Sequence, residues 1–144
     1  MGITVVIVDD NAGFRAQARS MLTAAGFDVL GEAGDGASAL ELVAALAPQL
    51  VLLDVQLPDL SGLEVARRLH EEADPPAIIL ISSREAADYG AGIERSGAEG
   101  FISKAELSGH ALAACWTGQV DDRASVVAAG PRGGGARVGV GRRR

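Results

Sequence analysis

The sequence predicts an α/β domain built on a doubly wound, five-stranded parallel sheet in the order 2-1-3-4-5. Three observations predict it. Short apolar runs alternate five times with stretches of helical periodicity over residues 1–117. The runs at residues 3–8, 50–53 and 77–81 are apolar without alternation, which marks strands buried on both faces, as in a parallel sheet. Right-handed crossovers and the order 2-1-3-4-5 set the first and third strands side by side. That placement brings Asp9-Asp10, which ends the first run, against Asp54, which ends the third.

Each element has its own signals. Strand one, residues 3–8, is β-branched and apolar. Asn11 is an N-cap for helix one, whose stripe is Phe14, Ala18, Met21, Leu22 and Ala25, and Gly26 closes it. Strand two, residues 27–32, alternates less cleanly and suits a sheet edge. Asp35 caps helix two over residues 36–46, with Ala39, Leu42, Val43 and Leu46 inward, and Pro48 enforces the stop. Strand three is residues 50–53. Ser61 caps helix three with Glu64 at the capping-box position, and Leu63, Ala66 and Leu69 face inward. Asp74-Pro75-Pro76 ends that helix, and strand four follows over residues 77–81. Helix four is expected over residues 85–96, as the weakest of the five, because Gly90 and Gly92 lie inside it at about 1 kcal/mol each. Strand five spans residues 99–103. Helix five, residues 105–117, carries Leu107, Ala111, Leu112, Cys115 and Trp116, with Trp116 the expected packing anchor of its last turn.

The chain has 144 residues, enough for one domain and one core. It is 48% hydrophobic and only 3% aromatic, so Ala, Val, Leu and Ile must build that core. No apolar segment approaches the roughly 18 residues of a membrane span, and Met1-Gly2-Ile3 is no basic leader. Cys115 has no partner for an internal disulfide. These features predict a cytoplasmic protein without membrane association. Residues 1–118 hold 7 Lys/Arg against 17 Asp/Glu, a balance of −10, which argues against broad nucleic-acid binding by this part and suits a cation or a basic partner protein. Residues 119–144 hold 6 Arg against 2 Asp and are rich in Gly and Ala. The chain therefore divides into a domain at 1–118 and an expected disordered tail at 119–144.

Ligands of open α/β sheets bind at the carboxyl ends of the strands. There the sequence delivers Asp9-Asp10, Asp54, Ser82-Ser83 and Lys104. Three gathered carboxylates raise one another's pKa unless a cation neutralises them. An oxygen-only set suits Mg²⁺, or Mn²⁺, rather than zinc; His70 and His110 lie on helices away from the strand ends. Asp54 is then an oxygen nucleophile for a phosphoryl group, with Lys104 and Ser82 to receive the phosphate oxygens.

Ile7-Val8-Asp9-Asp10, Leu52-Leu53-Asp54, Leu57-Pro58-Asp59-Leu60-Ser61-Gly62-Leu63-Glu64, Leu80-Ile81-Ser82-Ser83 and Gly100-Phe101-Ile102-Ser103-Lys104 together resemble the receiver domain of two-component response regulators, over residues 1–117. That family's fold is the flavodoxin-like one deduced above. The resemblance implies that Asp54 is the phosphoacceptor. It implies Mg²⁺ held by Asp10 directly, by Asp9 through water, by Asp54 and by the backbone carbonyl of Gln56. Ser82 and Lys104 are implied to bind the phosphoryl group, Ser82 and Phe101 to form the switch, and Gln56 and Arg84 to tune dephosphorylation. The implied partners are a sensor histidine kinase and an output protein, or a second copy, at the face of helix four, strand five and helix five. Ala105 after Lys104, where many receivers have Pro, resembles the subfamily that carries a C-terminal helix-turn-helix. No DNA-binding domain is expected in this chain, since nothing after Gly118 has the apolar content for one. The resemblance describes a phosphoacceptor rather than an enzyme. Two rival readings stand beside it: a binding module that works without phosphorylation, and a Mg²⁺-dependent phosphohydrolase, which lacks a carboxylate at Gln56 and a cap insertion.

Overall fold

The computed structural model describes residues 2–117 and 127–128. The apolar runs form strands β1 (Thr4–Val8), β2 (Asp28–Ala33), β3 (Leu50–Asp54), β4 (Ala77–Ser82) and β5 (Gly100–Ser103). All five are parallel and stand in the order β2-β1-β3-β4-β5. The expected doubly wound sheet is present, with β2 at its edge. A sixth strand, β6 (Val127–Ala128), runs antiparallel on the outer side of β5, opposite Gly100 and Phe101. The sequence reading placed these two residues in a disordered tail. The composition of the whole stretch hid a local β-branched run, Val126-Val127-Ala128. The rest of residues 118–144 lies outside the described residues, as do the side chain of Trp116 and its expected anchoring role.

Strand side chains alternate between the two faces. Val6, Val8, Val51, Leu53, Ile78, Leu80 and Phe101 belong to one core, and Val5, Ile7, Leu50, Leu52, Ile79, Ile81 and Ile102 to the other. The first core is closed by α2 (Gly36–Leu46), α3 (Gly62–His70) and α4 (Gly92–Ser96), through Ala39, Val43, Val65, Ala66, Leu69 and Ile93. The second is closed by α1 (Ala12–Ala24) and α5 (Gly109–Thr117), through Ala18, Leu22, Ala111, Leu112 and Cys115. Each fully buried Leu, Ile or Val contributes about 1.5–3 kcal/mol. The core of Ala, Val, Leu and Ile foreseen from composition is thus split by the sheet.

The caps of α1 and α2 are as expected: Asn11 Oδ1 accepts from Phe14 N at 2.9 Å, and Asp35 Oδ1 from Ser38 N at 2.7 Å. Ser61 does cap α3, but its Oγ accepts from Leu63 N, and the capping box does not form. Glu64 turns instead to Arg67 and Arg68, at 2.6 and 2.9 Å. Val65 rather than Leu63 is the fully buried residue of that turn, and Leu46 of α2 is 37% exposed. Helix four is corrected most. Residues 86–89 make only a 3₁₀ turn, Gly90 leaves helical space at φ 57° and ψ −133°, and α4 keeps five residues. Helix five also starts late: Lys104–Glu106 is a 3₁₀ turn, and Ser108 Oγ receives Ala111 N at 2.9 Å.

Candidate functional site

The alternation that divides the core also sorts the strand ends. Asp9 and Asp54 follow Ile7 and Leu52 on the α1–α5 face. Ser82 follows Leu80 on the α2–α3–α4 face. Lys104 comes off the end of β5 and reaches the α1–α5 side, where its Nζ lies 2.6 Å from Asp9 Oδ2, 3.3 Å from Asp54 Oδ2 and 4.5 Å from the centroid of the Phe14 ring.

Asp9 is fully buried and Asp54 nearly so, while Asp10 is exposed. One carboxylate oxygen from each falls in a group spanning no more than 4.8 Å. Backbone donors fix the two buried acids: Asn11 N gives to Asp9 Oδ1 at 2.8 Å, and Gln56 N to Asp54 Oδ1 at 3.1 Å. Asp9 Oδ2, wholly buried, makes no well-formed hydrogen bond and has only the ion pair to Lys104. Burial pushes the Asp54 carboxyl up to about 6, with the Asp9 charge adding to the rise and the Gln56 N–H and Lys104 opposing it. Burial alone would lower the Lys104 pKa, but the two carboxylates outweigh it and the net shift is upward. One ammonium is shared between two buried acids, with a third carboxylate close by. A buried carboxylate oxygen without a full partner, beside two further carboxylates and no His or Cys, fits a hard divalent cation of the Mg²⁺ or Mn²⁺ kind.

Supports behind these groups were not singled out in the sequence. Arg15 of α1 donates to the Asp9 carbonyl at 2.6 Å and to Glu32 at 3.0 Å, and Arg19 joins Glu32 at 2.6 Å. These arginines, Arg19 first, hold the Glu32 carboxyl below its usual range despite its partial burial. Asp59 accepts from Gly36 N at 2.7 Å, Ala37 N at 2.9 Å and Leu60 N at 2.8 Å, tying the loop after β3 to the start of α2. The Gly36 amide leads these bonds in lowering the Asp59 pKa. Gly62 lets α3 begin directly against Asp54. A Cβ there would stand 2.8 Å from Val55 Cα and closer still to the Asp54 carbonyl oxygen.

The other strand-end residues form a second, uncharged group. Ser82 is fully buried; its Oγ lies 2.6 Å from the Tyr89 hydroxyl and accepts from Arg84 N at 3.0 Å. The Tyr89 ring packs on Phe101 with centroids 6.0 Å apart and planes tilted by 52°. Phe101, the expected switch aromatic, is only 2% exposed, with its ring on the inward side. Tyr89 had no marker in the sequence beyond being the sole tyrosine. Gln56 and Arg84 present exposed side chains beside Asp54 and Ser82.

A doubly wound sheet whose strand ends gather three carboxylates, two of them paired with one lysine, and a buried hydroxyl on the neighbouring strand is the class of arrangement expected of a receiver domain. The family model described as the response regulator receiver domain matches residues 5–114, and the chain belongs to that family, whose setting is two-component signalling. It is 36% identical over 102 residues to a putative transcriptional regulator of Pseudomonas aeruginosa, covering 71% of this chain and 49% of that protein. It is 31% identical over 112 residues to the DNA-binding transcriptional activator EvgA of Escherichia coli K12, covering 78% of this chain and 55% of that one. Among solved structures, it is similar to the signal receiver domain of the putative response regulator NarL from Mycobacterium tuberculosis. That match has a TM-score of 0.71 and 32% identity and covers 81% of this chain and 98% of that one. The chain spans about half the length of the curated relatives it matches.

Proposed function

We propose that the chain, in the cytoplasm, takes a phosphoryl group onto Asp54 from a sensor histidine kinase and thereby changes its affinity for an output partner. The observation that carries this is the pair of buried carboxylates, Asp9 and Asp54, sharing Lys104 with Asp10 close by. A purely structural ion pair has no use for three acids around one base, because the unpaired charge is costly in a low dielectric.

Asp9, Asp10, Asp54 and the backbone carbonyl of Gln56 would hold Mg²⁺, or Mn²⁺ in its place. The ion, when bound, supplies neutralisation of the acids and of phosphate oxygens. The chain's own residues do the rest. The Gln56 N–H holds Asp54 Oδ1, which leaves Oδ2, paired with Lys104, as the nucleophilic oxygen. An O–P bond forms there as the P–N bond of the donor imidazole breaks, and its electron pair leaves with the imidazole. Lys104 pairs with the phosphate, and Ser82 donates to one of its oxygens. Gln56 and Arg84, at the rim, set the access of water to the aspartyl phosphate and so its lifetime. A partner, or a second copy, docks across α4, β5 and α5, where it meets β6 on the β5 edge.

The test is mass measurement after incubation with Mg²⁺ and acetyl phosphate. Wild type gains the mass of one phosphate, and Asp54→Asn gains none. An unmodified wild type, or an equal adduct on Asp54→Asn, refutes the proposal.

A further inference from the structure

We propose that Tyr89 is an aromatic residue that responds to phosphate on Asp54, its hydroxyl holding Ser82 at rest and losing it on phosphorylation. The inference rests on Asp54 being the phosphoacceptor. Phe101 is buried to 2%, its backbone is paired in the sheet on both flanks, and its side chain has no polar atom to exchange. Tyr89 is held by little. It is half-buried and ends the 3₁₀ turn Ala86–Tyr89, of which no residue is fully buried. Gly90 follows at φ 57°, in open space, as a joint that only glycine occupies without strain.

The Ser82 hydroxyl decides the exchange. It has one proton and two lone pairs. Arg84 N fills one lone pair, and the Tyr89 hydroxyl takes either the other lone pair or the proton. A phosphoryl group at the strand ends brings three strong acceptor oxygens and about −1.5 to −2 charge. Charge-assisted hydrogen bonds are roughly twice as strong as neutral ones, so the phosphate wins the Ser82 proton from a phenol. The Tyr89 hydroxyl then faces water, the turn swings about Gly90, and the ring leaves Phe101. The switch of this chain is thus a change of partner at Ser82 that moves one four-residue turn.

Tyr89 is the sole tyrosine of the chain, so a ring-¹³C-tyrosine label gives one signal in NMR spectra of the full chain. Three samples decide: wild type at rest, wild type with Mg²⁺ and acetyl phosphate, and Ser82→Ala at rest, which frees the hydroxyl without phosphate. Mass measurement on the second sample counts the adduct. The expected result is that phosphorylation moves the signal toward its position in Ser82→Ala. An adduct with an unmoved tyrosine signal overturns this inference and leaves the phosphoacceptor reading standing. No adduct at all overturns both. Tyr89→Phe supplies the second readout. Because Ser82 no longer gives up a hydroxyl partner, steady-state adduct at limiting donor rises about threefold to tenfold. Unchanged or reduced occupancy overturns the inference, since mere loss of packing would not raise it.

Discussion

On the face of the sheet covered by α1 and α5 the strands end in charge; on the face covered by α2, α3 and α4 they end in hydroxyls and rings. The charged end is fixed. Asp9 and Asp54 each take a backbone N–H, share Lys104, and are backed by Arg15 and by the start of α3. The neutral end leans on short elements, a four-residue turn and a five-residue helix. The difference has a physical cause. A buried charge that loses its partner costs several kcal/mol, whereas a hydroxyl changes partners for about 1 kcal/mol. Groups that do chemistry must be placed in advance, and groups that report it must be cheap to move.

The largest break in this comparison comes from the fixed end. Gly62→Ala drives a Cβ into the Asp54 carbonyl, and α3 cannot start where it does. The urea-unfolding midpoint falls by the equivalent of about 3 kcal/mol, and acceptance of phosphate from acetyl phosphate falls with it. Next is the pH dependence of the metal-free protein. The Asp54 carboxyl binds its proton more tightly in the fold, at about 6, than in the unfolded chain, at 3.8. Its contribution to stability is therefore complete below pH 3.8 and lost as pH rises through 6, by about 2–3 kcal/mol. Asp54→Asn removes that slope and is the more stable protein at pH 7, as denaturation at a series of pH values will show. Smallest is Gly90→Ala at the movable end. Its Cβ meets open space, so only the positive φ resists, and the loss is about 1 kcal/mol in the same unfolding assay. A Gly90→Ala effect as large as that of Gly62→Ala would erase the distinction between the two ends.

The fixed end was the legible one. Unbroken apolar runs name the strands of a parallel sheet, and the order they impose carries Asp9, Asp10, Asp54 and Lys104 to one place without knowledge of a single distance. Asn11 and Asp35 declare their helices because the capping bond is local, spanning three residues. Glu64 misled for the complementary reason. Its capping-box partner was also local, but two arginines one turn on competed for the carboxylate. The glycines at 90 and 92 forecast a weak fourth helix, while the 3₁₀ turn and the sharp joint depend on how residues 86–89 settle against the sheet. Tyr89 and Asp59 act across 7 and 23 residues, on Ser82 and Gly36, and no periodicity encodes such pairs. Phe101 stands on β5 as expected and belongs to the core on the α2–α3–α4 face, but its contact with the Tyr89 ring is not something the chain alone reveals.

The crowded acids at positions 9 and 54 bear on how such a sequence ages. The near-isosteric Asn there would relieve repulsion with little loss of packing, so random change drifts toward it whenever nothing opposes it. A duplicated copy released from its duty would shed these acids early, well before its hydrophobic interior decayed. Loss of these acids, rather than decay of the interior, is therefore the earlier mark of such a release.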